Sequence, residues 1–152
     1  MTQIWVPVGD TVLIHGIASA AKHLRPEVRV VGIQAECASA YYLSWKRGSA
    51  VSTDTCDTIA DGLATRTPIE DNVAAIRELV DDVRLVTEDQ MLRAIDLLVK
   101  EHVVAEPAGA AATAAWLADS TAAPRGPIVL LVTGSNIAET ILRRALTNAE
   151  KS

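Results

Sequence analysis

Apolar positions alternate along the chain between short runs and helical stripes. Ile4-Trp5-Val6-Pro7-Val8 is a short apolar run stopped by Gly9, which predicts a strand and a turn. Leu13 to Lys22 then predicts a helix with small residues on its packing side. Val28-Arg29-Val30-Val31-Gly32-Ile33 is short and rich in β-branched residues, a second strand after the break at Pro26. Cys37 to Lys46 predicts a helix ending at Gly48, and Ser49 to Pro68, rich in Ser, Thr, Asp and Gly, predicts the longest loop. In Ile69 to Val80, residues Val73, Ile76, Leu79 and Val80 share one helical face, and Val83-Arg84-Leu85-Val86 predicts a third strand. Thr87-Glu88-Asp89-Gln90 has the capping-box spacing, with Met91, Leu92, Ile95, Leu98 and Val99 following at helical intervals. The Ala-rich run from Ala108 to Ala118 predicts a helix that lets a neighbour approach closely. Pro124 to Pro127 reads as a turn, Ile128 to Val132 as a strand covered on both faces, and Asn136 to Ala149 as a closing helix. The order β-α-β-α-α-β-α-α-β-α is that of an α/β protein, three-layered, with a mostly parallel sheet of about four strands.

Composition narrows the picture. A chain of 152 residues, 49% hydrophobic and 22% charged, can bury a real core and is too apolar for disorder. No internal repeat, low-complexity block or second domain is visible, so residues 1–152 are expected to form one unit. With 3% aromatic residues and no Phe, the core must be built from Ala, Val, Leu and Ile. A net charge of −5 without a basic cluster argues against nucleic-acid binding by phosphate neutralisation, and so few aromatics provide no base-stacking platform. No apolar run reaches the roughly 18 residues of a membrane-spanning helix. Met1-Thr2-Gln3 opens without the charged and apolar regions of an export signal, and Cys37 and Cys56 are expected as free thiols. Both features point to a cytoplasmic protein.

Ligands of α/β sheets bind beyond the carboxyl ends of strands, so the loops after Val8, Ile33, Val86 and Val132 are the places to look. Val8-Gly9-Asp10-Thr11-Val12 and Val132-Thr133-Gly134-Ser135-Asn136 each lead toward a helix N-terminus, which suits either an anion or simple capping. His15, His23 and His102 have no Cys, Asp or Glu at ligand spacing and read as surface residues on helices. Asp81-Asp82 reads as a solvated turn, Glu88-Asp89 as favourable charge at a helix start, and Trp116 as a packing residue.

Several segments together are similar to the threonine and serine dehydratase family of pyridoxal-phosphate enzymes, which includes serine racemase. They are Trp5-Val6-Pro7-Val8-Gly9, Leu13-Ile14-His15-Gly16-Ile17-Ala18, Asp57-Thr58-Ile59-Ala60-Asp61-Gly62-Leu63, Arg77 to Val83, Val104-Ala105-Glu106-Pro107-Ala108-Gly109-Ala110 and Thr133-Gly134-Ser135-Asn136-Ile137. The resemblance spans nearly the whole chain and corresponds to the C-terminal half of such an enzyme, part of the large domain of the tryptophan-synthase-β-like fold. It implies pyridoxal phosphate as cofactor, elimination and deamination of a hydroxy amino acid as the reaction, a phosphate cradle at Gly9, Asp10, Thr11 and Val12, Glu106 and Gly62 along the cofactor pocket, and Thr133 near the pyridine nitrogen.

Departures from the family pattern carry as much information. The family's phosphate loop is a run of glycines, whose N–H groups converge on an anion with no side chains in the way. Here the loop keeps one glycine, and Asp10 puts a carboxylate where phosphate would sit, so Asp10 or Thr11 is expected to cap the helix instead. The lysines are Lys22, Lys46, Lys100 and Lys151, and none lies in the family's Schiff-base motif. The asparagine-bearing substrate loop of the family is also missing. Gln34 and Ala40 stand where some members carry acidic metal ligands, so no metal is expected. The resulting expectations are a chain inactive by itself, completed by another chain that supplies the missing half, or a non-enzymatic module that homo-oligomerises over bared apolar surface. No catalytic residue is assigned.

Overall fold

The computed structural model describes residues 1–119 and 126–148. Its strands are β1 (Gln3–Pro7), β2 (Arg29–Ala35), β3 (Asp82–Val86) and β4 (Ile128–Leu130). Its helices are α1 (Val12–Leu24), α2 (Ala40–Arg47), α3 (Glu70–Leu79), α4 (Glu88–Lys100), α5 (Pro107–Ala118) and α6 (Glu139–Asn148). Short 3-10 turns cover Glu36–Ala38 and Asp61–Leu63. The strands form one parallel sheet in the order β3-β2-β1-β4, with Trp5 level with Val31 on one side and Leu130 on the other.

Alternation along the two central strands builds a three-layer core. Trp5, Val31, Ile33 and Ala35 point to one face and join Met91, Leu92, Ile95 and the alanines of α5. Ile4, Val6, Val8 and Val30 point to the other and join Ile14, Ala18, Val73 and Ile76 from α1 and α3. Because both faces are covered, β1 and β2 are apolar at almost every position, as parallel strands must be. Helix α5 is buried from Pro107 through Ala115, and its small side chains let it lie against α4 and the sheet together. Trp116 packs as expected, its ring meeting that of Trp5 edge-on at 5.7 Å.

Three predicted elements are corrected. The helix predicted from Cys37 starts at Ala40, because Glu36–Ala38 is wound as a 3-10 turn and Ser39 is not helical. Its predicted end holds, with Gly48 in the left-handed region at φ 87°. The strand at Ile128 is shorter than predicted and is not covered on both faces: it is the outer strand, and Val129 and Val132 are exposed. An aliphatic run reports that a segment is apolar, but its place in the strand order decides what covers it. The last helix starts at Glu139, three residues later than predicted, and Ala149 lies outside the described residues, as do Pro124 and Arg125 of the predicted turn. Among the described residues no helix is long and apolar enough to cross a membrane.

Candidate functional site

A cavity of about 190 Å³ opens at the carboxyl end of β1, and Gly9, Asp10, Thr11, Gly62, Glu106 and Thr133 all line it. Four separate segments deliver these six residues: the β1–α1 turn, the 3-10 turn Asp61–Leu63, the entry to α5, and the loop after β4. Pro7, Val12, Leu13, Leu63 and Ala108 complete the wall and supply its apolar surface. A second cavity of about 330 Å³ shares Glu106 and Ala108 with the first and runs on toward Asn136 and Thr140. The first cavity alone is smaller than the roughly 300–1,000 Å³ usual for small-molecule sites, and the second is within that range.

Close backbone approach explains the glycines. A Cβ at Gly9 would collide with the carbonyl oxygen of Gly62, and one at Gly134 (φ 21°) would collide with the Glu106 carboxylate. The Glu106 N–H donates to the Gly134 carbonyl at 3.0 Å, fixing the loop after β4 against the start of α5. Gly109 sits against the carbonyls of Thr133 and Gly134, so an Ala-rich helix with a glycine at this turn is what admits that loop.

The β1–α1 turn corrects the capping expectation. Helix α1 has no side-chain cap: Thr11 stands at the N-cap in the left-handed region (φ 64°), and neither it nor Asp10 bonds a helix N–H through its side chain. A β-branched residue in that region is strained, since its Cβ crowds the backbone. The Asp10 carboxylate instead accepts a 2.9 Å hydrogen bond from the hydroxyl of Tyr41, which is fully buried. The same hydroxyl accepts from the Ile69 N–H and from Asn72 Nδ2, both at 3.3 Å, so its donor and acceptor capacities are used together. Sequence reasoning missed Tyr41, and no spacing signal joins it to Asp10 across thirty-one positions.

The remaining candidates fall into place away from the cavity. His15, His23 and His102 are exposed, but His102 lies in a turn after α4 (φ 61°) and not on a helix. Cys37 and Cys56 are free, and among the described residues no cluster of His, Cys, Asp and Glu could hold a metal ion. Gln34 is buried, with Oε1 accepting from the Tyr42 N–H at 2.9 Å and Nε2 without a partner. Asp81 is more than a solvated residue: it accepts from the Val30 N–H at 2.7 Å and from Lys22 at 2.8 Å, tying α1 to the edge of β2. Glu88 likewise binds the Thr58 hydroxyl at 2.7 Å and the Ile59 N–H at 3.0 Å, anchoring the long loop beside the site. On β3, Arg84 lies over the Trp5 ring and bonds Asp82 and Asp119. Burial acts to lower the Arg84 pKa, and the hydrogen bonds and charges of the two aspartates outweigh it, so the guanidinium stands above its ordinary value.

A parallel four-stranded sheet flanked by helices on both faces, with a glycine-edged cavity where the loops after β1 and β4 meet the start of α5, has the fold of fold-type-II pyridoxal-phosphate enzymes. Residues 1–134 match the family described as pyridoxal-phosphate dependent enzyme, and the chain belongs to it. It is 36% identical over 138 residues to the L-threonine ammonia-lyase of Geobacter sulfurreducens, covering 90% of this chain and 34% of that protein. It is 40% identical over 116 residues to the catabolic L-threonine dehydratase of Escherichia coli, covering 76% and 35%. The processed form of threonine deaminase isoform 2 from Solanum lycopersicum superposes with a TM-score of 0.88 at 29% identity, covering 98% of this chain and 44% of that one. The chain thus spans about a third of the curated relatives it matches.

The family's cofactor carries a phosphate and an aldehyde, and the residues present fit neither end. Among the described residues no basic side chain lines the cavity, while Asp10 and Glu106 both do. A helix N-terminus favours an anion by roughly 0.3–1 kcal/mol, and a unit charge about 4 Å away opposes it by about 1 kcal/mol in water and about 4 kcal/mol at a protein-surface dielectric. Asp10 therefore at least cancels what α1 contributes. For the aldehyde, the three described lysines are engaged elsewhere: Lys22 with Asp81, Lys100 with Asp96, and Lys46 over the Tyr42 and Trp45 rings.

Proposed function

We propose that residues 1–152 form one partial domain, the C-terminal cofactor-domain half of a threonine/serine dehydratase, and that it is inactive alone. The reaction would be the family's β-elimination and deamination, in which a hydroxy amino acid becomes a 2-oxo acid and ammonia, and it requires a complementing chain with the Schiff-base lysine and small domain. The observation that carries this reading is the convergence of Gly9, Gly62, Glu106 and Thr133, from four distant segments, on a cavity that none of the described lysines lines. Within it, Glu106 would hold the loop after β4, with Thr133, in place.

Exposed apolar surface supports the need for a partner. Among the described residues the outer strand β4 has no neighbour on its far side in the strand order, and a groove of about 550 Å³ beside α1 is lined by Ile4, Ile17, Ala21, Leu24 and Val28. A cytoplasmic location suits the free cysteines. The test is to mix the purified chain with pyridoxal phosphate, follow visible absorbance, reduce with borohydride, and assay 2-oxo acid from threonine or serine. No single-lysine adduct and no turnover are expected alone, with turnover once an N-terminal half of a dehydratase is added. Turnover by the chain unaided overturns the reading.

A second reading, favoured by Asp10 in the phosphate loop, is a non-enzymatic module that kept the scaffold and homo-oligomerises through the same apolar surface. Sedimentation separates the two: a concentration-dependent dimer speaks for the module, whereas a monomer that associates only with the missing half speaks for the split enzyme.

A further inference from the structure

We infer that Asp10 makes the α1 end of the cavity a phosphate-excluding subsite, so that this chain discriminates against the phosphorylated form of a ring ligand in favour of its unphosphorylated form. The inference rests on family membership and on this cavity, and is independent of any complementing chain.

Three observations carry it. The first is the fate of the helix N-terminus. The Val12 N–H is already taken by the Asp10 carbonyl at 2.9 Å, which removes one donor from the converging N–H set that an anion needs. The second is the placement of the carboxylate. Asp10 is fixed by the buried Tyr41 hydroxyl, itself bound by Ile69 and Asn72, and so it stands at the cavity wall as part of a network spanning α2 and α3. The third is the charge of the rest of the wall: Glu106 adds a second carboxylate, and among the described residues none that lines the cavity offers a compensating cation. An uncharged hydroxymethyl group can sit beside these carboxylates and donate a hydrogen bond to one, whereas a phosphate group can only be repelled.

The experiment compares inorganic phosphate, pyridoxal and pyridoxal phosphate binding to the full chain, read by intrinsic Trp fluorescence and by amide shifts of Val12 and Leu13. The wild-type chain is expected to bind pyridoxal phosphate no more tightly than pyridoxal, and inorganic phosphate is expected to leave the two amides unmoved. D10N keeps an oxygen for Tyr41 and removes only the charge. It is expected to raise affinity for inorganic phosphate and for pyridoxal phosphate about fivefold or more, with pyridoxal unchanged. D10G, which removes side chain and charge together, is expected to gain at least as much. Circular dichroism confirms that each variant is folded. Wild-type preference for pyridoxal phosphate over pyridoxal overturns the inference. So does a D10N variant whose phosphate affinity matches the wild type, including one in which only D10G gains, because bulk rather than charge would then be responsible. None of these outcomes depends on turnover, so a failed complementation assay leaves this comparison intact.

Discussion

Two strand-to-helix turns at the same edge of the sheet begin their helices in opposite ways. At β3–α4 the turn is closed on itself: Thr87 accepts from the Gln90 N–H at 3.2 Å, Gln90 returns the bond to the Thr87 N–H at 2.9 Å, and Glu88 and Asp89 add negative charge to the first turn. At β1–α1 nothing caps the helix, Thr11 is held in a left-handed conformation, and Asp10 is turned toward Tyr41. The first turn uses local chemistry to hold a helix start, whereas the second is shaped by its neighbours across the cavity. Local satisfaction and an open, strained turn are the respective marks of scaffold and site.

Substitutions can break this contrast, starting with the largest effect. Gly9→Ala drives a methyl into the Gly62 carbonyl and is expected to cost about 3 kcal/mol, measured as a lower denaturant midpoint. Tyr41→Phe takes the donor from Asp10 and the acceptor from Ile69 and Asn72. Thermal melts should show a loss of about 2 kcal/mol, and a wild-type melt would mean that the network contributes nothing. Thr87→Ala opens the capping box at a cost of about 1 kcal/mol. The matching change at the other turn, Thr11→Gly, has the opposite sign: relief of the left-handed strain should stabilise by about 1 kcal/mol, and destabilisation would show that the threonine is not strained. Asp10→Asn should change stability by less than about 0.5 kcal/mol, since Asp10 caps no helix.

Arg84, on β3, adds a pH test. Its folded pKa is raised above the ordinary arginine value, so the stability it contributes is fully present across the acid-to-neutral range and is lost only as pH rises through the higher folded value. Arg84→Met should therefore lower stability by the same amount at pH 6 and pH 9, as read from denaturant midpoints.

The capping box was legible in the sequence because its partners are three residues apart and their chemistry is local. The same is true of the Gly48 helix stop and of β1 and β2, whose apolar runs are dense enough to need cover on both faces. Of the site, the loops at Gly9 and Thr133 were legible from their place beyond strand ends, whereas Gly62 and Glu106 were legible only through family likeness, since no spacing rule joins them. Tyr41 left no trace at all: it is one of two tyrosines on a short helix, and its role depends on where α2 and α3 meet the β1 turn.

Short-range pattern by itself determined the succession of strands and helices, the parallel α/β plan and the absence of a lysine from the family motif, because periodicity and residue identity are properties of the chain. The tertiary structure alone decided that Ile128–Leu130 lies at the rim, that Asp81 and Glu88 tie distant segments together, and that Asp10 faces Tyr41 rather than its own helix. The physical reason is the same in each case. A polar or apolar side chain fixes what kind of partner it needs, and only the packing of layers fixes which partner comes within reach.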